Sequence, residues 1–566
     1  MSPLFSKRCY VVVALFVTGF VVIASRFVYL GYYGHRFDGF LKSARQRTRI
    51  IPASRGTVID CKGHPLTSQQ SVYDVGVDLT QILEKDREKL PLLADILKLS
   101  PSDLTVLWKP SQIRWKSLAK EVSEASYEKI KALRVKGVYG NRKFQRHYLH
   151  APSMSYVVGF INAEGQPVCG IEKLMQFYLK GQDGWVAYEV NGKGDEMRQY
   201  RKHTLEPTDG YTVELTLDDQ IQQSVEAILS EARERLYAQS IQALVTRPAT
   251  GEVLACVTVP FFDSNYYRQY KTEALTNVAL SNVYEPGSVF KAITVAAALD
   301  CNAVKTTDTF NCGLSKALYR GKELPLPKDW KTFDQTMDVG EILHHSSNRG
   351  TVQIGFKLGA ERLYDYGRRF GFGETTQTGF AGETRGIFHP IKQWDGLTIT
   401  RLPMGHALAC SIFQMHYAMG AIANGGFLMY PQFVKRIYNP KGKSVHTFEP
   451  KMRRKVLKET TARTMRDLLL LDEHSRAFVR GYAVAGKTGT SQKIVDGKYS
   501  HSQHVASFSG FLPNRRPQFQ ITVVVDTPHV QGVGYGSVTA APIFKEIADN
   551  IIAYTGLPPQ TNILKL

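Results

Sequence analysis

The chain has 566 residues, 43% of them apolar, which is too long for one ordinary domain and enough to build a large core. Its formal charge is +20, from 71 basic and 51 acidic residues, and residues 1–50 carry eight Lys or Arg against one acidic residue. The remaining charge is spread thinly with no zinc-finger, RRM or basic-helix signature, which excludes the usual nucleic-acid binders and leaves anionic membrane or polymer as the partner of the basic surface.

The first element is a run from Cys9 to Ser25 free of charged residues, resumed from Phe27 to Tyr33. Counted past Arg26, which can snorkel at its far end, the run spans a hydrocarbon core of about 30 Å. It is longer than a signal-peptide h-region and shows no small-x-small site before Tyr29, so it reads as an uncleaved signal anchor, with a cleaved signal peptide as the rival. Lys7 and Arg8 before the run keep the N-terminus cytoplasmic and place the rest of the chain outside. The cluster Lys42, Arg45, Arg47 and Arg49 after it pulls the other way. The expected divisions are a tail at 1–8, a transmembrane anchor at 9–32, a spacer or pedestal at 33–205 and a catalytic domain at 206–566. Seven cysteines show no CxxC and no metal-like Cys/His spacing, and they decide nothing further. The spacing permits a Cys301–Cys312 pair, but free thiols are the simpler reading.

Residues 33–205 read as mixed short strands and helices, among them Gly56-Thr-Val-Ile-Asp60 before the turn at Gly63, and Tyr73-Asp-Val-Gly-Val-Asp78. Beyond the turn at Pro207-Thr-Asp-Gly210, Val213 to Leu217 alternates as a strand. Asp218 and Asp219 then cap a helix through Ile221, Val225 and Ile228. Ala243 to Val245 and Val253 to Val257 flank Pro248-Ala-Thr-Gly251 as a hairpin. Ala506 to Phe511 and Phe519 to Val525 supply two late strands, and a helix from about Ala541 to Tyr554 closes the chain. Strands from both ends with helices between them predict an α+β domain whose antiparallel sheet joins N- and C-terminal segments.

The chemistry begins at Pro286-Gly-Ser288-Val-Phe-Lys291, where a turn enters a helix that is apolar almost all round. Lys291 falls three residues after Ser288 on one face, and burial would depress its pKa so that it can serve as a base. The spacing alone is weak, since Ser117-x-x-Lys120 and Ser126-x-x-Lys129 also occur and read as solvated surface. Ser346-Ser-Asn348 is the only Ser-x-Asn, and by itself it reads as a cap or turn. Lys487-Thr488-Gly489-Thr490 holds the only Lys-Thr-Gly and continues Tyr482-Ala-Val-Ala-Gly, which reads as strand. On that strand Thr488 and Thr490 share one side, two hydroxyls able to bind a carboxylate. Lys487 adds positive charge, and Gly489 lets a backbone approach closely. The order Ser-x-x-Lys, Ser-x-Asn, Lys-Thr-Gly is the signature of penicilloyl-serine enzymes.

With these motifs the chain resembles the class B, monofunctional penicillin-binding proteins, the D,D-transpeptidases that cross-link peptidoglycan. The resemblance covers nearly all of the chain after the anchor. It extends to Leu217-Asp-Asp-Gln-Ile-Gln222, Pro248 to Ala255, Ala421-Ile-Ala-Asn-Gly-Gly426 and Ser507 to Pro513. In the spacer it includes Arg55-Gly-Thr-Val-Ile-Asp60 and Gly170-Ile-Glu172. Three departures stand out. Cys61-Lys62 replaces the usual Arg-Asn and Ser155-Tyr156 the usual Ala-His, which puts pedestal contacts in question, and Arg349 stands where a small apolar residue is common, which touches the cleft rim.

The resemblance implies a penicillin-binding transpeptidase fold on a mixed α/β pedestal, with no metal or cofactor. It implies Ser288 as nucleophile, Lys291 as its base, and Ser346 and Asn348 in proton relay and donor-peptide binding. Lys487, Thr488, Gly489 and Thr490 would form the carboxylate and oxyanion side. The implied substrates are stem peptides ending in D-Ala-D-Ala, with β-lactams as covalent inhibitors. A multi-pass lipid II polymerase and divisome membrane proteins are the implied partners. Glu285 before Pro-Gly-Ser favours the septal, division-type enzyme; the elongation-type enzyme is the runner-up. A β-lactamase or β-lactam sensor, a D,D-carboxypeptidase and a non-catalytic scaffold are the other readings.

Overall fold

The structure, a computed structural model, describes residues 3–100, 115–191, 196–201, 203–495, 497–530 and 534–560. They fall into two compact units, Met1–Arg55 with Lys180–Gly210, and Gly56–Leu179 with Tyr211–Leu566. In the first unit α1 runs Pro3–Arg45. Its segment Lys7–Gly34, 28 residues with none of its apolar window buried, is long and apolar enough to cross a membrane. Gln46–Ile51 pairs antiparallel with Gly184–Val190, which also pairs with Glu196–Met197 and His203–Leu205. Carboxylates close this unit: Asp183 accepts from Ala53 N–H at 2.8 Å and Asp209 from Ser54 N–H at 2.8 Å.

The second unit begins with a three-stranded antiparallel sheet centred on Thr67–Asp78, flanked by Trp115–Ser123 and Val138–Tyr148. Buried ionic contacts hold it to its neighbours. Glu172 pairs with Arg146 at 2.8 Å, both side chains almost fully buried, and Arg146 also donates to Gly56 O at 2.8 Å. Buried Asp60 accepts from the N–H groups of Lys62 and His64 at 2.9 and 2.7 Å and so closes the turn at Gly63. Two of the sequence departures acquire partners here. Lys62 reaches Tyr554 Oη and lies 3.4 Å from Asp218, while Tyr156 Oη donates to Ala274 O at 2.9 Å and Pro260 O at 3.2 Å. Of the two chance Ser-x-x-Lys pairs, Ser117, Lys120 and Lys129 are exposed and Ser126 half-buried, away from any apolar helix.

In residues 206–560, Asp218 N-caps α2 (Asp219–Leu236), its carboxylate accepting from Gln220 and Ile221 N–H. The hairpin β1 (Ser240–Thr246) and β2 (Val253–Val259) joins the late strands β3 (Ala485–Val495), β4 (Lys498–Leu512) and β5 (Phe519–Asp526) in the order β2-β1-β5-β4-β3. The expected union of N- and C-terminal segments is therefore the β1–β5 pairing, in register from Ser240↔Asp526 to Thr246↔Gln520. Both faces are covered. Ile241, Ala243 and Val245 lie in one core cluster with apolar residues of α2 and of the closing helix Ala540–Thr555. Leu244 and Val524 lie in the other, with residues of the helices Lys291–Asp300 and Ile412–Ala423. Burial on both sides explains why β1 and β2 have no exposed residue.

One expectation fails at β3. The strand starts at Ala485 rather than Tyr482. Tyr482 Oη donates to Leu557 O at 2.5 Å and Ala483 N–H to Gln560 Oε1 at 2.9 Å, so these residues satisfy their polar groups on the C-terminal segment. All seven cysteines are free, as the sequence suggested.

His416 in the helix Ile412–Ala423 is fully buried, its Nε2 2.7 Å from Thr246 Oγ1 and its Nδ1 2.8 Å from Thr522 Oγ1. Burial pushes its pKa from 6.5 down to about 3. A folded-state pKa below the unfolded value means the unfolded chain binds the extra proton. The contribution is fully present above pH 6.5 and is lost as pH falls toward 3. Denaturant unfolding between those limits should show wild type losing about 1.4 kcal/mol per pH unit more than His416→Gln. Parallel pH profiles would show that the imidazole does not titrate on unfolding.

Candidate active site

Ser288 lies in a 3-10 turn, Gly287–Phe290, that runs directly into α3 (Lys291–Asp300). The sequence placed Ser288 on the first turn of the α-helix; the tighter turn brings positions three apart into eclipse, so Ser288 and Lys291 still share a side. Val289 and Phe290 are fully buried and anchor the turn. Pro286 supplies a fixed φ before it and Gly287 a φ of +52°.

Backbone is pressed on backbone around this turn. Gly287 N–H donates to Gly405 O at 3.1 Å. A Cβ on Gly405 would stand 2.0 Å from Gly287 O, one on Gly287 2.7 Å from Thr490 O, and one on Gly489 2.5 Å from Pro286 O. Gly489 thus serves the enzyme's own turn, a packing role beyond the substrate approach expected from the sequence. Strand β3 is the sheet edge, and along it buried Lys487 and Gly489 alternate with half-buried Thr488 and Thr490, the predicted period of two. Thr490 Oγ1 accepts from Gly536 N–H at 3.0 Å, which leaves its hydroxyl hydrogen to donate.

The Ser-x-Asn segment connects α4 (Val339–His344) to α5 (Asn348–Leu358), with Ser346 in the left-handed region at φ +56°. It meets the lysine directly. Lys291 Nζ donates to Ser346 O at 2.6 Å and to Asn348 Oδ1 at 2.7 Å, with Ser346 Oγ at 3.3 Å. Among the described residues no hydrogen bond reaches Ser288 Oγ, which is half-buried. The structure therefore brings together Lys291, Ser346 and Asn348 and sets Gly489 and Thr490 against the turn that carries Ser288.

Asp329 belongs to none of the motifs legible in the sequence. Its carboxylate accepts from Ser347 Oγ at 3.0 Å and from the N–H groups of Asn348 and Arg349, at the N-terminus of α5. It fixes the loop whose other side receives Lys291. No spacing rule could have found it, because it lies in an irregular loop 17 residues before Ser346. Arg349 is half-buried, and its guanidinium donates to Gly313 O at 3.0 Å and to Cys312 O at 3.4 Å.

Burial holds the pKa of Lys291 well below the usual lysine range; the nearby Lys487 charge lowers it further and Asp329 opposes. Burial alone brings Lys487 from 10.5 down to about 8. A lysine whose proton is loosened by burial, three residues from a serine hydroxyl, is the type of group that acts as a base toward such a hydroxyl, and a lysine with two threonine hydroxyls on the adjoining strand edge can bind an anion. Among the described residues no group of three or more His, Cys, Asp or Glu is placed to hold a metal.

The family model described as Penicillin binding protein transpeptidase domain matches residues 241–549, and that of the Penicillin-binding Protein dimerisation domain matches 50–215. Stage V sporulation protein D of Bacillus subtilis is 30% identical over 98% of this chain and 87% of its own length. The probable peptidoglycan D,D-transpeptidase PenA of Neisseria gonorrhoeae is 29% identical over 91% of this chain and 86% of its own. Among solved structures, penicillin binding protein 3 of Mycobacterium tuberculosis, complexed with aztreonam, superposes with a TM-score of 0.69 at 25% identity, covering 90% of this chain and 98% of that one.

Proposed function

Because the chain belongs to the class B penicillin-binding proteins, the monofunctional peptidoglycan D,D-transpeptidases, we propose that Ser288 is the nucleophile that forms their acyl-enzyme. Neutral Lys291 takes the Ser288 proton as Oγ attacks the penultimate carbonyl of a stem peptide ending in D-Ala-D-Ala. The N–H groups of Ser288 and Thr490 receive the oxyanion, a contribution of about 3–4 kcal/mol per donor. Ser346 passes a proton to the departing D-alanine and Asn348 holds the donor amide. Lys487, Thr488 and Thr490 bind the terminal carboxylate. An amine of a second stem peptide then displaces Ser288.

The observation that carries this reading is the contact of a buried, pKa-depressed Lys291 with both Ser346 and Asn348, one turn from Ser288. β-Lactams enter as carbonyl mimics of the same substrate, in keeping with the aztreonam complex of the mycobacterial relative.

The apolar segment Lys7–Gly34 fits a single-pass anchor. We place the N-terminus in the cytoplasm and the catalytic domain, 206–566, outside on a pedestal of 33–205, in partnership with a multi-pass lipid II polymerase and divisome proteins. The septal role is the preferred reading, and the elongation role is its alternative within the same chemistry.

Mass mapping after treatment with a fluorescent penicillin tests the assignment. A long-lived adduct on the peptide containing Ser288 is expected. Rapid release of hydrolysed drug would instead make the chain a β-lactamase, and an adduct on another residue would displace Ser288 as nucleophile.

A further inference from the structure

Transfer to an amine raises a need that the Lys291–Ser346–Asn348 group does not meet. A side-chain amine has an unperturbed pKa near 10.4, so the acceptor arrives as an ammonium and must lose a proton before it can attack. Lys291 is turned toward Ser346 and Asn348. A second group of polar side chains lies on the other flank of the nucleophile turn, and the proton chemistry above does not use it.

An isolated bridge and a single backbone hydrogen bond fix that flank. Tyr284 and Cys410 exchange both backbone hydrogen bonds, at 3.0 and 2.9 Å, and Gly287 N–H donates to Gly405 O. Between these clamps Glu285 faces His406, with Glu285 Oε2 2.7 Å from His406 Nδ1. Glu285 Oε1 accepts from Ala407 N–H at 3.0 Å, and Tyr499 Oη from the β3–β4 hairpin donates to the same carboxylate at 3.2 Å. A carboxylate only accepts, so Nδ1 carries a hydrogen, and in the neutral imidazole the lone pair lies on Nε2. The imidazole is 24% exposed and the carboxylate 9%. Among the described residues no hydrogen bond reaches Nε2.

We propose that His406, oriented by Glu285, is the base that takes the proton from the acceptor ammonium in the second half of the reaction. One ammonium proton passes to Nε2, and the resulting imidazolium is held by the Glu285 carboxylate. The freed nitrogen lone pair attacks the acyl carbon and forms the C–N bond. The C–Oγ bond to Ser288 breaks, the second nitrogen proton reaches Oγ through Lys291, and His406 returns its proton to water. The charged and titratable groups beside the pair are Tyr499 on the hairpin and Arg401 at the end of the helix Thr398–Arg401.

This rests on the transpeptidase reading, so the experiment separates the two half-reactions. The full-length protein in detergent is given a D-alanyl thioester donor and Nα-acetyl-lysine as acceptor, and the aminolysis-to-hydrolysis ratio is followed with pH beside penicillin acylation. In His406→Gln the ratio at neutral pH should fall about tenfold or more. It should then climb about tenfold per pH unit as free amine accumulates, where wild type rises less steeply. Equal loss of penicillin acylation and aminolysis would overturn the proposal in favour of a purely structural role. So would an unchanged ratio, or a lowered ratio with the wild-type pH slope. Failure of wild type to acylate at all would sink the transpeptidase reading instead.

Discussion

Lys291→Ala will slow acylation of Ser288 by penicillin about 10²–10⁴-fold, the range of a lost general base. The side chain is fully buried, and its three hydrogen-bond contacts lie on Ser346 and Asn348. Desolvation, reinforced by Lys487, favours the neutral amine. The sign follows: a base with a depressed pKa is active above that pKa and is lost as pH falls through it, so the acylation rate in wild type has an acid limb and the variant has none. Lys291→Arg restores the length and the donors but not the lone pair, because a guanidinium does not lose its proton in a protein. It should stay as slow as the alanine variant. Stopped-flow acylation with a fluorescent penicillin, beside thermal unfolding to confirm a folded chain, checks both. An arginine variant within tenfold of wild type would show that Lys291 acts by charge and hydrogen bonding rather than as a base.

What could be read in the sequence divides along a physical line. Local signals served well. The Asp218 cap, the hairpin about Gly251 and the closing helix at Ala540–Thr555 rest on periodicity and turn chemistry within a few residues. Lys487, Thr488, Gly489 and Thr490 followed from strand alternation, and the order of three motifs identified the enzyme class where no single motif could. Long-range contacts between irregular segments left no such trace. Asp329 joins a loop to a residue 19 positions away, the Glu285–His406 pair spans 121 positions and the Gly405 clamp reaches back as far as Gly287, and no local rule registers them. Tyr482 to Val484 failed for the same reason, since an apolar stretch reads as strand whether its partner is a neighbouring strand or the chain terminus. Even Lys291 was anticipated only in part. Its spacing put it on one face with Ser288, whereas its donors go to Ser346 and Asn348, a choice set by tertiary packing.

Gly405→Ala should be the most damaging single methyl group near the site, although residue 405 belongs to none of the three motifs. Its φ is +86°, and the new Cβ would lie 2.0 Å from Gly287 O, 2.6 Å from Gly287 C and 2.8 Å from Gly287 N. All three neighbours are backbone, so no side chain can swing aside. Gly287 itself cannot retreat, because Thr490 O stands 2.7 Å from where its own Cβ would be. The turn bearing Ser288 must therefore shift relative to β3, and a displacement of about 1 Å can cost about 10²-fold in rate. Gly442→Ala separates this from backbone strain: its φ is +77° with nothing within 4 Å of the added carbon. That control should lose about 1 kcal/mol of stability, the strain of a left-handed alanine, and keep the wild-type acylation rate. Gly405→Ala should lose several kcal/mol and acylate about 10²-fold more slowly or worse. If the two variants lose equal stability and both acylate normally, the contact at Gly287 does not position the nucleophile, and registry between Ser288 and the Lys487–Thr490 edge must come from the burial of Val289 and Phe290 alone.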